Sequence, residues 1–358
     1  MVLIGLLIGY GMDINQIVIT PEILTLIAEI DEFKGSWRSL KTLAPEKLAT
    51  LKKVATIESI GSSTRIEGVK MSDRQIETLL SNLDKHSFTT RDEQEVAGYA
   101  EVMDILFQSW ETIPITENYI KQLHAILLKY SPKDERHRGN YKTIENHIQA
   151  FNEEGKSLGV IFSTASAFET PLKMENLVFW LRQEMEEKRL HPLLIIGIFI
   201  VNFLAIHPFQ DGNGRISRIL TTLLLLKSGY IYVPYSSLES VIEENKDSYY
   251  LALRRTQQSI KNDNPDYLTW LLFFLKSIKK QKDKLAQKLE RELIFQTSLP
   301  ELSVQILELA KEHGRISTKD IEKYTKASRS TIKARLNELV KQEKIYRYGK
   351  GRSTWYSL

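Results

Sequence analysis

The 358-residue sequence predicts a mainly α-helical protein with one β-hairpin and a small C-terminal domain of mixed structure. Most segments repeat apolar residues at the helical period, whereas clear period-2 alternation is confined to a few short pieces. Polar residues and glycines interrupt the helical pattern between Ser131 and Ala167, where β-prone pieces predict a loop with a hairpin. Beyond Pro300, three short helices and two strands within about 60 residues predict a winged helix-turn-helix.

Capping signals justify the helices of the main body. Thr20 and Pro21 predict a helix start, with Thr20 as the N-cap and Pro21 at the first helical position. Thr116 is the predicted N-cap of a later helix. Helical periodicity then predicts Pro45–Ile60, Ser72–Asn82, Asp92–Thr112, Thr116–Lys129, Pro171–Lys188, Pro192–Ile206, Arg215–Lys227, Glu243–Lys261 and Asp266–Leu293. Charges of alternating sign over Lys276–Arg291 are typical of a solvated helix that links two domains.

The elements of the small domain follow the same logic. Ser303–Glu312 is periodic, Ser317 caps a second helix, and Ser328–Gln342 forms a third. Two short strands fit around the glycines of Ile345–Leu358. We therefore expect four regions: an N-terminal helical region at 1–90, a core at 91–275, a charged helical linker at 276–299 and the winged helix-turn-helix at 300–358.

Composition sets the outer limits of the function. Hydrophobic residues at 42% and charged residues at 26% are ordinary for a globular protein with a real core. The absence of cysteine excludes disulfides and thiol chemistry and fits a cytoplasmic location. Apolar runs such as Leu193–Leu204 are too short for a membrane span. The apolar opening Met1–Tyr10 predicts a segment packed on the body or a true start at Met12, with a truncated signal peptide as the alternative.

The net charge of +4 is concentrated in the tail. Residues 299–358 contain 13 Lys and Arg against 7 Asp and Glu, so the remainder is slightly acidic. Six basic residues define the tail surface: Arg329, Lys333 and Arg335 on the predicted recognition helix, and Arg347, Lys350 and Arg352 on the wing. This pattern suits contact with DNA phosphates, and the alternative is binding to a protein or packing against a neighbouring domain.

The segment His207–Arg218 carries the clearest chemistry of the chain. Glycines on both sides of Asn213, just before a predicted helix, let backbone N–H groups approach a ligand, and the helix dipole adds to the attraction for an anion. Arg215 and Arg218 lie three residues apart on that helix, and both can fork onto phosphate oxygens. The segment therefore predicts a phosphate-binding site.

Two further residues turn this anion site into a candidate catalytic site. Asp211 offers the hard oxygen that Mg²⁺ prefers when it bridges phosphates. His207 is the evident proton acceptor, and Phe209 is an apolar anchor for the loop. A base, a metal ligand and an anion cradle suit phosphoryl or nucleotidyl transfer to a hydroxyl. The P-loop pattern and the protein-kinase motifs are both missing.

At these residues the sequence resembles the Fic family, whose motif is HPFx(D/E)GN(G/K)RxxR, and every motif position matches. The resemblance extends roughly over residues 15–275. It implies a helical Fic-fold bundle with a small β-hairpin flap. It also implies a protein adenylyltransferase, which transfers AMP from ATP to a Ser, Thr or Tyr hydroxyl of a protein, itself included.

The resemblance implies a role for each motif residue. His207 would deprotonate the target, and Asp211 would hold Mg²⁺ against the α- and β-phosphates. The anion hole would be lined by Gly212, Asn213 and Gly214. Arg215 would bind phosphates, and Arg218 would bind the γ-phosphate. The flap, within 140–165, would align the target by β-augmentation. Tyr249 and Tyr250 would lie near the adenine.

A second pattern, STRIEG, begins at Ser63 and ends with Glu67 and Gly68. Alone it would be an exposed glutamate before a glycine C-cap. Beside the Fic motif it resembles the inhibitory helix pattern (S/T)xxxE(G/N), here at about 57–68. A carboxylate beside Arg218 would occupy the guanidinium that the γ-phosphate needs, so ATP would bind with its α-phosphate misaligned. The resemblance therefore implies autoinhibition by Glu67, with Ser63 bonded to the motif.

Other functions stay open at this point. Related enzymes transfer UMP, phosphocholine or phosphate or remove AMP, although relatives that transfer phosphate usually carry Lys where Gly214 stands. A different class is a DNA-binding regulator whose Fic part senses a nucleotide. The family often pairs through its Fic body, so we expect a homodimer. The other histidines, His124 and His147 among them, lack metal-ligand spacing; His147 has a candidate place in the flap, and His191, before Pro192, is a candidate helix cap.

Overall fold

The computed structural model describes residues 17–37, 45–81, 88–146, 148–151, 157–162, 164–262, 264–297, 299–349 and 351–358. The expectations for Met1–Tyr10, Met12, His147 and Lys350 lie outside the described residues. The chain divides into two compact units, Met1–Leu285 and Ala286–Leu358.

Helices dominate the first unit, so the prediction of a mainly α-helical fold is confirmed. In chain order they are α1 Pro21–Trp37, α2 Pro45–Ile66, α3 Asp73–Leu80, α4 Arg91–Ser109, α5 Glu117–Leu127, α6 Thr170–Glu187, α7 Pro192–Ile206, α8 Asn213–Lys227, α9 Leu238–Glu244, α10 Lys246–Lys261 and α11 Leu268–Thr297, which continues past the division. Between α5 and α6 lies the predicted hairpin, formed by the antiparallel strands β1 Ile148–Phe151 and β2 Ser157–Phe162.

Side-chain caps fix where several helices begin. Ser72 and Thr90 each close a capping box at the starts of α3 and α4, and the Thr116 hydroxyl accepts the Tyr119 N–H at the start of α5. The prediction of one helix over Glu243–Lys261 is wrong. Asn245 separates α9 from α10, because its side-chain amide donates to the Val241 carbonyl and its backbone leaves helical geometry (φ −121°).

Two helices form the centre of the first unit. In α7 every residue except Pro192 and Asn202 is buried, and α7 packs against α6, α8 and α10. Nearly all of α8 is buried as well, from Ile216 to Leu226. Among the helices in the described ranges, none combines the length and apolar character that a bilayer crossing needs. The candidate loop therefore joins the two most deeply buried helices, which hold both of its ends.

The inhibitory segment differs from the expectation of a helix at about 57–68. Helix α2 starts much earlier, at Pro45, and ends at Ile66. Glu67 and Gly68 form the turn that follows, with the Gly68 N–H bonded to the Arg65 carbonyl and φ of +109° at Gly68. Glu67 therefore follows directly on a long helix whose last turns, from Ser59 onward, are largely buried.

The second unit has the predicted helix–helix–helix–hairpin order. Its elements are α12 Glu301–His313, α13 Thr318–Thr325, α14 Arg329–Lys341, β3 Tyr346–Tyr348 and β4 Trp355–Ser357. A core of its own joins them: Ile306, Ala310, Ile316, Ile321, Ile332, Leu336, Leu339, Ile345 and Tyr356. An isolated antiparallel bridge between Ile316 and Tyr356 ties the segment before α13 to β4.

Helices α4 and α5 touch at Gly98, and this contact gives a first test. A Cβ at position 98 would collide with the Leu127 carbonyl oxygen, a backbone atom that cannot rotate away. We expect Gly98→Ala to destabilise the first unit by about 1–3 kcal/mol. Gly35→Ala, in open space on α1, is the matched control and should stabilise by about 0.5–1 kcal/mol. Thermal unfolding of the full chain measures both, and equal melting temperatures would contradict the close approach.

Candidate active site

The loop from His207 to Gly212 reverses the chain between α7 and α8. His207 ends α7 in the left-handed region (φ 53°, ψ 61°), and its N–H donates to the Phe203 carbonyl at 2.9 Å. Gly212 is also left-handed (φ 79°) and is the N-cap of α8. A left-handed residue other than glycine is uncommon and often marks a functional position. The backbone thus places His207 at the lip of the loop and the start of α8 opposite it.

Asn213 holds the loop closed from inside. Its Oδ1 accepts the Phe209 N–H at 2.9 Å, and its Nδ2 donates to the Phe209 carbonyl at 2.7 Å. The Asn213 side chain is therefore used within the loop, and what it can offer to an anion is its backbone at the helix N-terminus. The Phe209 side chain is fully buried, in the anchoring place expected from the sequence.

His124 of α5 lies directly against this loop, a contact that sequence reasoning missed. Its ring stacks on Phe209 with centroids 3.8 Å apart and planes 8° from parallel. Its Nε2 lies 3.0 Å from the Asp211 carbonyl oxygen, and its Nδ1 accepts the Gly139 N–H at 2.9 Å. Burial lowers the pKa of His124 to about 4, so the ring is neutral at physiological pH.

The foot of the hairpin is bonded to the same loop. Lys142 donates its backbone N–H to the Pro208 carbonyl at 2.8 Å and its buried ammonium to the Ile206 carbonyl at 3.1 Å. The ammonium also donates to the Thr164 hydroxyl, which lies just beyond β2. Burial lowers the pKa of Lys142 to about 8. The residues that flank the hairpin are therefore tied to the backbone beside His207.

Asp211 lies in a network of alternating charges with residues of α4 and α8. Arg91 contacts Asp211 Oδ2 at 3.0 Å, and Arg215 contacts Oδ1 at 3.3 Å. Glu95 balances both cations, at 2.7 Å from Arg91 and 2.9 Å from Arg215. Burial opposes ionisation of Asp211, but Arg215, the Gly212 N–H and Arg91 outweigh it and lower its pKa. The i,i+4 spacing of Arg91 and Glu95 was the available sequence signal, and it does not indicate the active site.

The donor set fits Mg²⁺ only when phosphates complete it. Among the described residues no three His, Cys, Asp or Glu side chains form a cluster that could hold a metal. Asp211 is ionised and presents a hard oxygen, and Mg²⁺ commonly takes one or two carboxylates together with substrate phosphates. Asp211 is therefore a suitable single protein ligand.

Arg218 is engaged by the segment that ends α2. Its Nε donates to Ser63 Oγ at 2.7 Å, and its Nη2 donates to the Ser63 carbonyl at 2.9 Å and to Glu67 Oε1 at 2.7 Å. A Cβ on Gly214 would collide with Glu67 Oε1. The Glu67 carboxylate therefore lies over the first turn of α8, where the helix dipole and free N–H groups attract an anion.

Further bonds fasten the end of α2 to α9 and α10. Arg65 pairs with Glu243 at both ends of its fork, with Nε–Oε1 at 2.7 Å and Nη2–Oε2 at 3.0 Å. A third Arg65 nitrogen reaches Asp73 at 2.8 Å. Lys246 donates to the Ile66 carbonyl at 2.8 Å, next to Glu67. Sequence reasoning missed this clamp, since its partners are 178 and 180 residues apart along the chain.

The two tyrosines expected near adenine differ in burial. Tyr249 is buried close to Arg218, with its ring packed against Trp270 and Phe273 at 5.9 and 5.8 Å between centroids. Tyr250 is 41% exposed beside it, with the two ring centroids 5.1 Å apart. Burial raises the pKa of both phenols, so both are neutral donors. Their role toward adenine stays a prediction.

Two buried polar atoms mark the centre of the site. Neither His207 Nδ1 nor Arg218 Nη1 has a hydrogen-bond partner among the described residues. Such atoms nearly always have partners in folded proteins, so this pair fits a site that a ligand completes. Burial, followed by the nearby Lys142 charge, lowers the pKa of His207 to about 4. His207 is therefore neutral near pH 7 and able to accept a proton.

Comparison with known proteins finds two family matches along the chain. Residues 114–225 match the Fic/DOC family, and residues 297–358 match the C-terminal domain of the transcriptional regulator DIP2311-like family. The probable protein adenylyltransferase of Aquifex aeolicus is 33% identical over 100 residues, 28% of either chain. Protein adenylyltransferase Fic of Drosophila grimshawi is 28% identical over 213 residues, which are 57% of this chain and 40% of that protein. The chain thus spans less than half the length of these two curated relatives.

Solved structures share the architecture. A Fic family protein from Desulfovibrio desulfuricans G20 aligns with a TM-score of 0.61 at 23% identity, over 95% of this chain and 97% of its own. A Fic domain containing signaling protein from Bacteroides thetaiotaomicron aligns with a TM-score of 0.59 at 24% identity, over 74% of this chain and 98% of its own. Fold and loop together define a helical body with a glycine-containing turn between two buried helices. The chain contains a Fic domain, followed by a DIP2311-like C-terminal domain.

The state of His207 can be measured directly. We expect its ring to titrate with a midpoint of about 4 in the full-length chain, since the charged form is both buried and close to Lys142. An unperturbed histidine titrates at about 6.5. NMR of the ring resonances across acid pH, assigned with His207→Ala, gives the midpoint. A value near that of a free histidine would contradict the burial described here.

Proposed function

We propose that this chain is a protein adenylyltransferase that its own Glu67 holds in a resting state. The observation that carries the proposal is the position of the Glu67 carboxylate. It lies over Gly214 at the start of α8 and is bonded to Arg218. A carboxylate at that place acts as an internal substitute for a phosphate, which supports both an anion-binding site and its blockage.

The proposed reaction joins a target hydroxyl to the α-phosphate of ATP. Neutral His207 accepts the hydroxyl proton as the oxygen attacks the α-phosphorus. The bond from the α-phosphorus to the bridging oxygen breaks, and pyrophosphate leaves with its electron pair. The product is a phosphodiester between AMP and a Ser, Thr or Tyr side chain.

The other residues of the loop would orient the nucleotide. Arg215 and the N–H groups at the start of α8 are placed to bind phosphate oxygens, and Arg218 would bind the γ-phosphate once Glu67 leaves. Mg²⁺ held by Asp211 would neutralise charge on the phosphates. Lys142 and Thr164, which flank the hairpin and are bonded to the loop, would hold β2 in place. A target strand that paired with β2 would then lie beside His207.

The brake follows from the geometry of a single guanidinium. With Nη2 shared between Ser63 and Glu67, Arg218 has no Nη2 hydrogen left for a phosphate. ATP would then bind with its terminal phosphate displaced, and in-line attack depends steeply on such alignment. The curated relatives that this chain resembles carry the name protein adenylyltransferase, which supports AMP as the transferred group.

Labelled ATP tests the proposal. We expect Glu67→Gly to raise the incorporation of label from the α-phosphate into the chain itself by about 10- to 100-fold over wild type, because Arg218 becomes free. Adding His207→Ala should remove the label. Lys53→Ala, exposed on the same helix with an ion pair to Glu77, is the control and should behave as wild type.

The position of the label separates the alternatives. Label retained only from the γ-phosphate would identify a kinase, and loss of AMP from a premodified target would identify removal. Binding of ATP without any transfer would favour a nucleotide sensor. Equal incorporation by Glu67→Gly and wild type would contradict the brake. Pairing into a homodimer and a cytoplasmic location stay predictions of the sequence.

We also propose that the second unit contacts nucleic acid. Arg329 and Lys333 are exposed on α14, and Arg347 is exposed on β3. Tyr348 stacks on Trp355 of β4 with centroids 4.3 Å apart, which provides an aromatic surface beside these charges. Glu338 pairs with Arg335 at 2.6 Å and so reduces the charge of the helix. The likeness to a transcriptional regulator domain supports this proposal.

Salt dependence tests the nucleic-acid proposal. Affinity for a labelled DNA duplex, measured by fluorescence anisotropy of the full chain, should fall as salt rises, since phosphate contacts release counterions. Lys333→Gln on α14 should reduce the slope of log affinity against log salt by about one. Lys319→Gln removes the same charge from α13 and should leave the slope unchanged. Affinity that does not depend on salt would argue against phosphate-led binding.

A further inference from the structure

His124 lies outside the motif yet makes two contacts with it, and a third bond, from Gly139, holds its ring in place. It stacks on Phe209, accepts the Gly139 N–H at Nδ1 and lies 3.0 Å from the Asp211 carbonyl at Nε2. An imidazole nitrogen that accepts a bond carries no proton, so the proton of the neutral ring is on Nε2. The Gly139 bond therefore makes Nε2 a donor to Asp211.

This bond fixes the direction of one peptide unit. The C=O of Asp211 and the N–H of Gly212 belong to the same planar trans peptide and point in opposite directions. With the carbonyl held by His124, the Gly212 N–H points away from His124 and donates to the Asp211 carboxylate at 2.6 Å. The orientation of the Asp211 side chain and of the first N–H before α8 thus depends on a ring in α5.

The space around the bond allows little adjustment. A Cβ on Gly212 would lie 3.2 Å from Leu127 and 3.5 Å from His124 Nε2, so the loop rests directly on α5. His124 itself is fully buried. A rotated peptide would leave the Asp211 carbonyl without its donor in a buried place, which is costly.

We propose that His124 is a positioning residue for the nucleotide site, acting through the Nε2–H bond to Asp211. Its bond sets the peptide between Asp211 and Gly212, and this peptide places the metal-binding carboxylate and the start of the anion cradle. The inference rests on the proposed function for the identity of the nucleotide, ATP. The bond and its geometry are observed in this chain and do not depend on the proposed function.

Three substitutions separate positioning from packing. His124→Gln places an amide N–H close to the Nε2 position and keeps the bond to Asp211. His124→Asn reaches only the Nδ1 position and loses that bond. His124→Phe keeps the stacking on Phe209 but loses both hydrogen bonds. All three are made in the full-length Glu67→Gly chain, so that Arg218 is free to bind phosphate.

The readout is the dissociation constant for ATP with Mg²⁺, measured by calorimetry, with thermal unfolding recorded alongside. We expect His124→Gln to bind within about threefold of its parent, and His124→Asn and His124→Phe to bind at least about tenfold more weakly. A packing role predicts a different order, with His124→Phe the nearest to the parent in both binding and melting temperature. Equal losses in all three variants, or the packing order, would overturn the proposal.

A measurement without substitution covers the case in which a variant does not fold. Nitrogen-15 NMR of the parent chain reports which imidazole nitrogen of His124 carries the proton. The proposal requires the Nε2–H tautomer, and an Nδ1–H tautomer would overturn it. Both readouts are independent of AMP transfer. If the variants bind ATP in the expected order but the protein transfers no AMP, the proposed function is wrong and the role of His124 still holds.

Discussion

A guanidinium buried at Arg218 constrains much of the first unit. Arg218 is 4% exposed, and a buried charge is tolerated only when opposite charge and hydrogen-bond acceptors surround it. The end of α2 supplies them, through Ser63 and Glu67. The pKa of Arg218 is raised against the effect of burial, chiefly by Glu67, and this shift reflects the same need. Under the proposed function, the charge and acceptor oxygens of a phosphate would meet the same need once Glu67 leaves.

The backbone of the loop is held in place by bonds from three elements, whereas His207 Nδ1 and Arg218 Nη1 have no hydrogen-bond partner among the described residues. Asn213 closes it from within, His124 holds it from α5, and Lys142 holds it from the foot of the hairpin. Each of these bonds lies on a different element, so the loop is fixed from three sides. Rigidity of this kind suits a site in which alignment decides the rate, because catalytic groups must be held close to their productive positions.

The sequence predicted the parts that depend on local pattern. Helix α7 was placed at its observed bounds, because an unbroken apolar run ends at the glycine-rich loop. The motif residues could be predicted because they lie together in one short segment, His207–Arg218. His124, Glu95 and Arg65 were missed because their partners lie at distant positions in the chain, and a lone His or an i,i+4 pair has an ordinary structural explanation. The extent of α2 was underestimated for a related reason: a buried run of small residues, Ser59–Thr64, has no amphipathic pattern to extend.

The buried run Ser59–Thr64 sets a free-energy cost on the release of the proposed brake. From Ser59 to Thr64 every residue of α2 is buried, so the segment that carries Glu67 belongs to the core of the first unit. Glu67 itself lies in the exposed turn after α2, so displacing the end of α2 together with it would mean partly undoing the packing of the domain, a local unfolding event with its own free energy. A displacement of the end of α2 that raised the activity would then lower the stability of the first unit. A partner that binds α2 in its displaced form would activate the protein by an amount limited by its preference for that form over the packed one.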